Sequence, residues 1–65
     1  MPRKIRELIA DLKRAKFRVV GGKGDHKKFA HLSGTKVTVS GKEGGDAKHY
    51  QEQEVAEALK KAGSR

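Results

Sequence analysis

No cysteine and no tryptophan occur among the 65 residues, and there is a single proline. The first absence removes disulfide staples and thiolate zinc sites, and it fits a reducing compartment such as the cytoplasm. Aromatics are scarce as well, with two Phe and one Tyr. Base stacking, the usual route to single-strand preference, therefore has little support. No apolar run approaches the ~18 residues of a membrane span, and the start of the chain lacks the apolar core of a signal peptide. Negative charge is the other shortage. Eight Asp and Glu stand against sixteen Lys and Arg, a formal charge of +8.

What is present must make one domain, 1–65. A domain of this size buries only about 60% of its unfolded surface, which leaves no room for a deep cavity or a cofactor fold. No cofactor is expected. Hydrophobic residues reach 34%, enough if they are patterned. The cations are clustered: Lys13, Arg14, Lys16, Arg18, Lys23, Lys27 and Lys28 face only Asp25. Farther on the balance reverses, with Glu43, Asp46, Glu52, Glu54 and Glu57 against Lys48. A basic first half implies a polyanionic partner, most simply nucleic acid. A membrane-surface helix fits less well, because the cations lie largely between elements rather than along one helical face.

Ile5, Leu8, Ile9, Leu12 and Ala15 recur at helical spacing, and Pro2 suits a first helical position, so a helix is predicted over 3–15. Phe17 to Val20 changes the period towards two and reads as a strand. Gly21-Gly22-Lys23-Gly24 reads as a turn. A second strand is predicted over His26–Leu32, a tight turn at Ser33-Gly34, and a third strand over Thr35–Val39. Ser40–Tyr50, with Gly41, Gly44 and Gly45, reads as a mobile loop. A second helix spans about Gln51–Ala62 on a Val55, Ala58, Leu59, Ala62 stripe, with Gly63 at C′. The predicted fold is α+β, ordered α-β-β-β-α. Connections this short require a three-stranded antiparallel meander.

Alternation gives the sheet two faces. Phe17, Val19, Phe29, Val37 and Val39 share one, against which both helices bury their stripes. Arg18, His26, Lys28, Ala30, Lys36, Thr38 and Ser40 share the other, and nothing is left in the chain to cover it. Val20 breaks the alternation, so a bulge or strand end is expected there.

The glycine stretch is no P-loop, since no Lys-Ser/Thr pair follows and a strand comes next. A loop carrying Lys23 beside a basic sheet can still contact a nucleic-acid backbone. Three histidines, His26, His31 and His49, do not converge on any spacing that suits a metal, and no metal site is expected. His26 is distinct. It follows the glycines, opens the central strand and projects among Arg18, Lys28 and Lys36. Imidazole among phosphate-holding cations is what a metal-independent ribonuclease needs. It moves the proton of a ribose 2′-hydroxyl or of the leaving 5′-oxygen while a cation stabilises the phosphorane. The competing reading is a non-catalytic RNA-binding module of the same architecture.

Lys4-Ile5-Arg6-Glu7-Leu8-Ile9, Phe17 to Phe29 with its glycines followed by His26, Thr35-Lys36-Val37-Thr38-Val39, and Glu54 to Gly63 together resemble the HicA toxins of HicA/HicB toxin–antitoxin pairs. The resemblance covers nearly the whole chain. It implies a fold like the double-stranded-RNA-binding domain, mRNA interferase activity in the cytoplasm, a stress-response role, and neutralisation by a HicB-type antitoxin in a hetero-oligomeric complex. It also implies that His26 is catalytic, and Arg18, Lys23, Lys28 and Lys36 become the candidate RNA contacts. The chain departs from the family pattern at Asp25, where Ser is usual, at Ser40-Gly41-Lys42, and at Lys16, where glycine is common.

Overall fold

In a computed structural model that describes residues 3–63, the chain runs α1 (Ile5–Arg14), β1 (Arg18–Lys23), β2 (His26–Ala30), β3 (Lys36–Ser40) and α2 (His49–Gly63). Pro2, expected at the first helical position, lies outside the described residues. The strands form one antiparallel sheet in the order β1-β2-β3.

Helix α1 buries Ile5, Leu8, Ile9 and Leu12, the stripe that its spacing predicts. It starts two residues later than predicted because Lys4 is extended, at φ −85 and ψ 151. A lysine cannot accept the free N–H groups of a first turn. Backbone does so instead: the Ile5 N–H donates to the Gly45 carbonyl at 2.9 Å and the Arg6 N–H to the Glu43 carbonyl at 3.0 Å. The segment 41–48, expected to be mobile, is thus bonded to the start of α1. Lys4 and Asp46 form a bridge pair, the Ala47 N–H donates to the Arg3 carbonyl at 2.7 Å, and Ala47 is buried.

At the other end of α1, Lys16 turns left-handed at φ 76. The Phe17 N–H reaches back to the Leu12 carbonyl at 2.9 Å and the Lys16 N–H to the Lys13 carbonyl at 3.0 Å. This is a helix-stop geometry in which glycine is the usual residue at the left-handed position. It drops Phe17 into the core and launches β1.

Strand β1 is longer than predicted and runs through Gly21 and Gly22. The turn is only Gly24-Asp25, with Gly24 at φ 58 in the first central position, where a two-residue hairpin favours glycine. Val19 pairs with Phe29 and Gly21 with Lys28, so Val20 is the extra residue of a bulge. Gly22, at φ 124, packs so closely on β2 that a Cβ there would overlap the His26 carbonyl. Strand β2 stops two residues before the predicted Leu32, and β3 lies one residue later than predicted at both ends.

The core joins the α1 stripe to Phe17, Phe29, Val39, Ala47, Val55 and Ala58. Both helices lie on the Phe29/Val39 face and pack on β3 and on each other. Strand β1 is outside their cover: all six of its residues are exposed, and Val19, though on the inner face, is 49% accessible. Helix α2 begins two residues earlier than predicted and includes Gly63 as its last residue rather than leaving it at C′. Its buried Gln51 donates from Nε2 to the Ser40 carbonyl at 2.6 Å, while Oε1 accepts from the Lys48 N–H at 2.8 Å. One amide thereby fixes the end of β3 against the start of α2.

Candidate nucleic-acid interface

Because Phe29 faces the core, its neighbours Lys28 and Ala30 face away. Register then sets three cross-strand rows on the open face: Lys23, His26 and Ser40; Gly21, Lys28 and Thr38; Arg18, Ala30 and Lys36. Lys27 belongs to the other face with Phe29, half-buried, with its ammonium 3.3 Å from Glu43.

His26, Lys23 and Lys28 come together with Gly22 around a shallow concavity of about 390 Å³. The Lys28 stem lies over Gly21, where a Cβ would stand 3.8 Å from Lys28 Cδ. Arg18 and Lys36 are not part of this group. They lie in the row four residues along β2, ~13 Å away at a rise of about 3.3 Å per residue. Arg18 lines a second concavity with Lys16, Ala30, His31 and Leu32, of about 280 Å³. Lys36 lines a groove against α2 that also contains Glu54, Glu57 and Lys61. Carboxylates beside Lys36 make it a weaker anion contact than Lys23 or Lys28.

The ion pairs among the described residues join α1, the two residues before it and the 41–48 segment, apart from the Lys27 contact made from the inner face. Asp11 binds Arg3 at 2.8 Å and Arg14 at 3.2 Å, Glu7 also reaches Arg3, and Asp46 binds Lys4 at 2.8 Å. The Asp11 hydrogen bond raises the Arg3 pKa above its ordinary value. Lys16, Arg18, Lys23, Lys28 and Lys36 have no carboxylate partner among the described residues. Asp25 is exposed in the hairpin turn. Its carbonyl accepts the Gly41 N–H at 3.0 Å, and no hydrogen bond among the described residues joins its carboxylate to His26.

The other histidines stand apart. The His31 ring tilts on Phe17 with centroids 5.1 Å apart, and its Nδ1 accepts the Ser33 N–H at 2.9 Å. His49 opens α2. No group of three or more His, Asp or Glu that could hold a metal occurs among the described residues, and no described helix is long and apolar enough to cross a membrane.

The sequence gives no role to Gln51 or to Gly22 beyond a turn, whereas Lys16 already stands out as the residue in a position where glycine is common. Gln51 shares a helical face with Val55 and Ala58, so spacing alone carried a signal for it. Gly22 matters through its backbone dihedral and its close packing on β2, which leave no such trace.

A family model described as the HicA toxin of bacterial toxin–antitoxin systems matches residues 5–64. No curated protein and no solved structure shows significant similarity to the chain. A match over nearly the full length places the chain in the HicA toxin family.

Proposed function

We propose that this HicA-family toxin is a metal-independent endoribonuclease that cleaves mRNA in the cytoplasm, with His26 as its acid–base group. The observation that carries the reading is the grouping of His26, Lys23 and Lys28 on an uncovered face whose cations lack carboxylate partners. The nucleophile is supplied by the substrate. His26 takes the proton of a ribose 2′-hydroxyl, the 2′-oxygen attacks the adjacent phosphorus, and the 5′-oxygen leaves and takes up a proton. The products are a 2′,3′-cyclic phosphate and a 5′-hydroxyl, so neither an external nucleophile nor a metal-bound water is required. Lys23 and Lys28 hold the phosphate and offset the charge that builds on the phosphorane. Arg18 and Lys36 meet flanking nucleotides.

Cleavage of a labelled RNA in EDTA tests this reading. His26→Ala should lower the rate by about 10²–10⁴-fold while RNA affinity changes little. Equal rates for parent and variant would remove His26 from the mechanism. Binding with a steep salt dependence and no cleavage at any concentration would identify a non-catalytic RNA-binding module.

The same face suits an acidic HicB-type antitoxin, which would silence the enzyme by covering His26. Induced expression in cells should arrest growth, and either co-expression of the antitoxin or His26→Ala should relieve the arrest. Persistent arrest in the His26→Ala strain refutes the assignment.

A further inference from the structure

Lys16 holds a left-handed backbone at φ 76, a conformation in which a side chain is strained and glycine is not. Such strain points to a role when the surroundings supply one. Here they do. Lys16 lines a concavity of about 280 Å³ with Arg18, Ala30, His31 and Leu32. Neither Lys16 nor Arg18 has a carboxylate partner among the described residues. The ring of His31 is held on Phe17, and its Nδ1 is occupied by the Ser33 N–H. With Nδ1 accepting, Nε2 is the ring nitrogen left to donate. Leu32 stands 94% exposed beside these donors.

We propose that Lys16, Arg18 and His31 form a second RNA subsite, a phosphate clamp with Leu32 packing against a base or ribose. The proposal rests on the ribonuclease reading of the open face. Arg18 shares that face with His26, and the Lys28 row lies between them. The separation of ~13 Å along β2 corresponds to about four nucleotide steps at roughly 3.4 Å per step. RNA fits better than a protein partner. An imidazole N–H and two cations without carboxylate partners among the described residues match phosphate oxygens. One projecting leucine falls far short of the ~800 Å² that each side of a specific protein interface buries.

Lys16→Gly supplies the test, because it removes the ammonium and also relieves the strain. The probes are a 2′-O-methyl RNA 12-mer, whose nucleophile is blocked, a 2′-O-methyl trinucleotide and poly-glutamate. Lys16→Gly should raise the Tm yet bind the 12-mer several-fold more weakly. Its slope of log affinity against log salt should be shallower by about 0.7, and the advantage of the 12-mer over the trinucleotide should shrink. Arg18→Gln should weaken the 12-mer similarly without the gain in Tm.

A higher Tm with unchanged 12-mer affinity overturns the subsite, and so does an equal loss for both RNA lengths. Lost poly-glutamate binding with 12-mer binding retained would make the cluster a protein contact and overturn it too. A parent protein that binds neither RNA overturns this subsite and the ribonuclease reading together. His26→Ala protein that still cleaves, beside a Lys16→Gly variant that loses 12-mer affinity, removes the catalytic assignment alone and leaves the clamp standing.

Discussion

The two faces of the sheet are built from the same three strands and obey opposite rules. On the inner face Phe29 and Val39 are buried beneath two helices, and the one cation there, Lys27, has Glu43 beside it. On the outer face His26, Lys28 and Thr38 are exposed, and the cations have no acidic partner among the described residues. The ion pairs use acids of α1 and the 41–48 segment, so Arg18, Lys23, Lys28 and Lys36 are left without a bonded carboxylate where a polyanion can meet them. The difference teaches that net charge alone is a poor guide to a binding surface. Which cations are left unpaired matters more.

The largest test of this contrast is Phe29→Ala. Removing a fully buried aromatic should cost about 3–5 kcal/mol, against a total stability of roughly 3–10 kcal/mol for a chain of this length. Its neighbour on the other face, Lys28→Ala, should stay within ~0.5 kcal/mol, and urea denaturation compares the two directly. Similar losses for both would dissolve the distinction between the faces.

Gly22→Ala is next. The new Cβ meets the His26 carbonyl in a backbone conformation that side chains rarely adopt. Stability should fall by about 1–3 kcal/mol, and cleavage should fall with it although no functional group is altered. Unchanged Tm and rate would mean that β1 does not position His26.

Gln51→Leu should cost about 1–3 kcal/mol by leaving the Ser40 carbonyl and the Lys48 N–H without their side-chain partner. Thermal melts read this effect, and a neutral result would show that water replaces the amide without loss. The smallest stability effects belong to Lys28→Gln and Lys36→Gln, each within ~0.5 kcal/mol. They should separate in kinetics: Lys28→Gln slows cleavage more, because it borders His26 while Lys36 lies beside Glu54 and Glu57. Equal rates would place both lysines at the same distance from the chemistry.

The element order was readable because each element carries a strong local period. Ile5, Leu8, Ile9 and Leu12 can form one buried stripe only as a helix, and Lys28-Phe29-Ala30 can place Phe29 inside only by turning Lys28 out. Boundaries were read less well where non-local partners set them. Gly21 and Gly22 resemble a turn in isolation, yet ladder bonds to β2 hold them as strand. The glycines of the 41–48 segment suggested mobility, but the first turn of α1 needs acceptors and takes two of that segment's carbonyls. Alternation puts Val19 on the inner face, and its exposure follows from helices that settle over β3.

Local pattern alone determined the α-β-β-β-α order, the polar and apolar faces of the strands, and a histidine on the basic one. These follow from periods of 3.6 and 2 and from the absence of anything else to cover that face. Tertiary structure decided which cations stand beside His26, which are paired with acids, and where a lysine accepts glycine's conformation. Those depend on strand register, the Val20 bulge and the cap at the end of α1. Each is set by contacts between residues distant in the chain or by a backbone angle, and neither is written in the spacing of residue types.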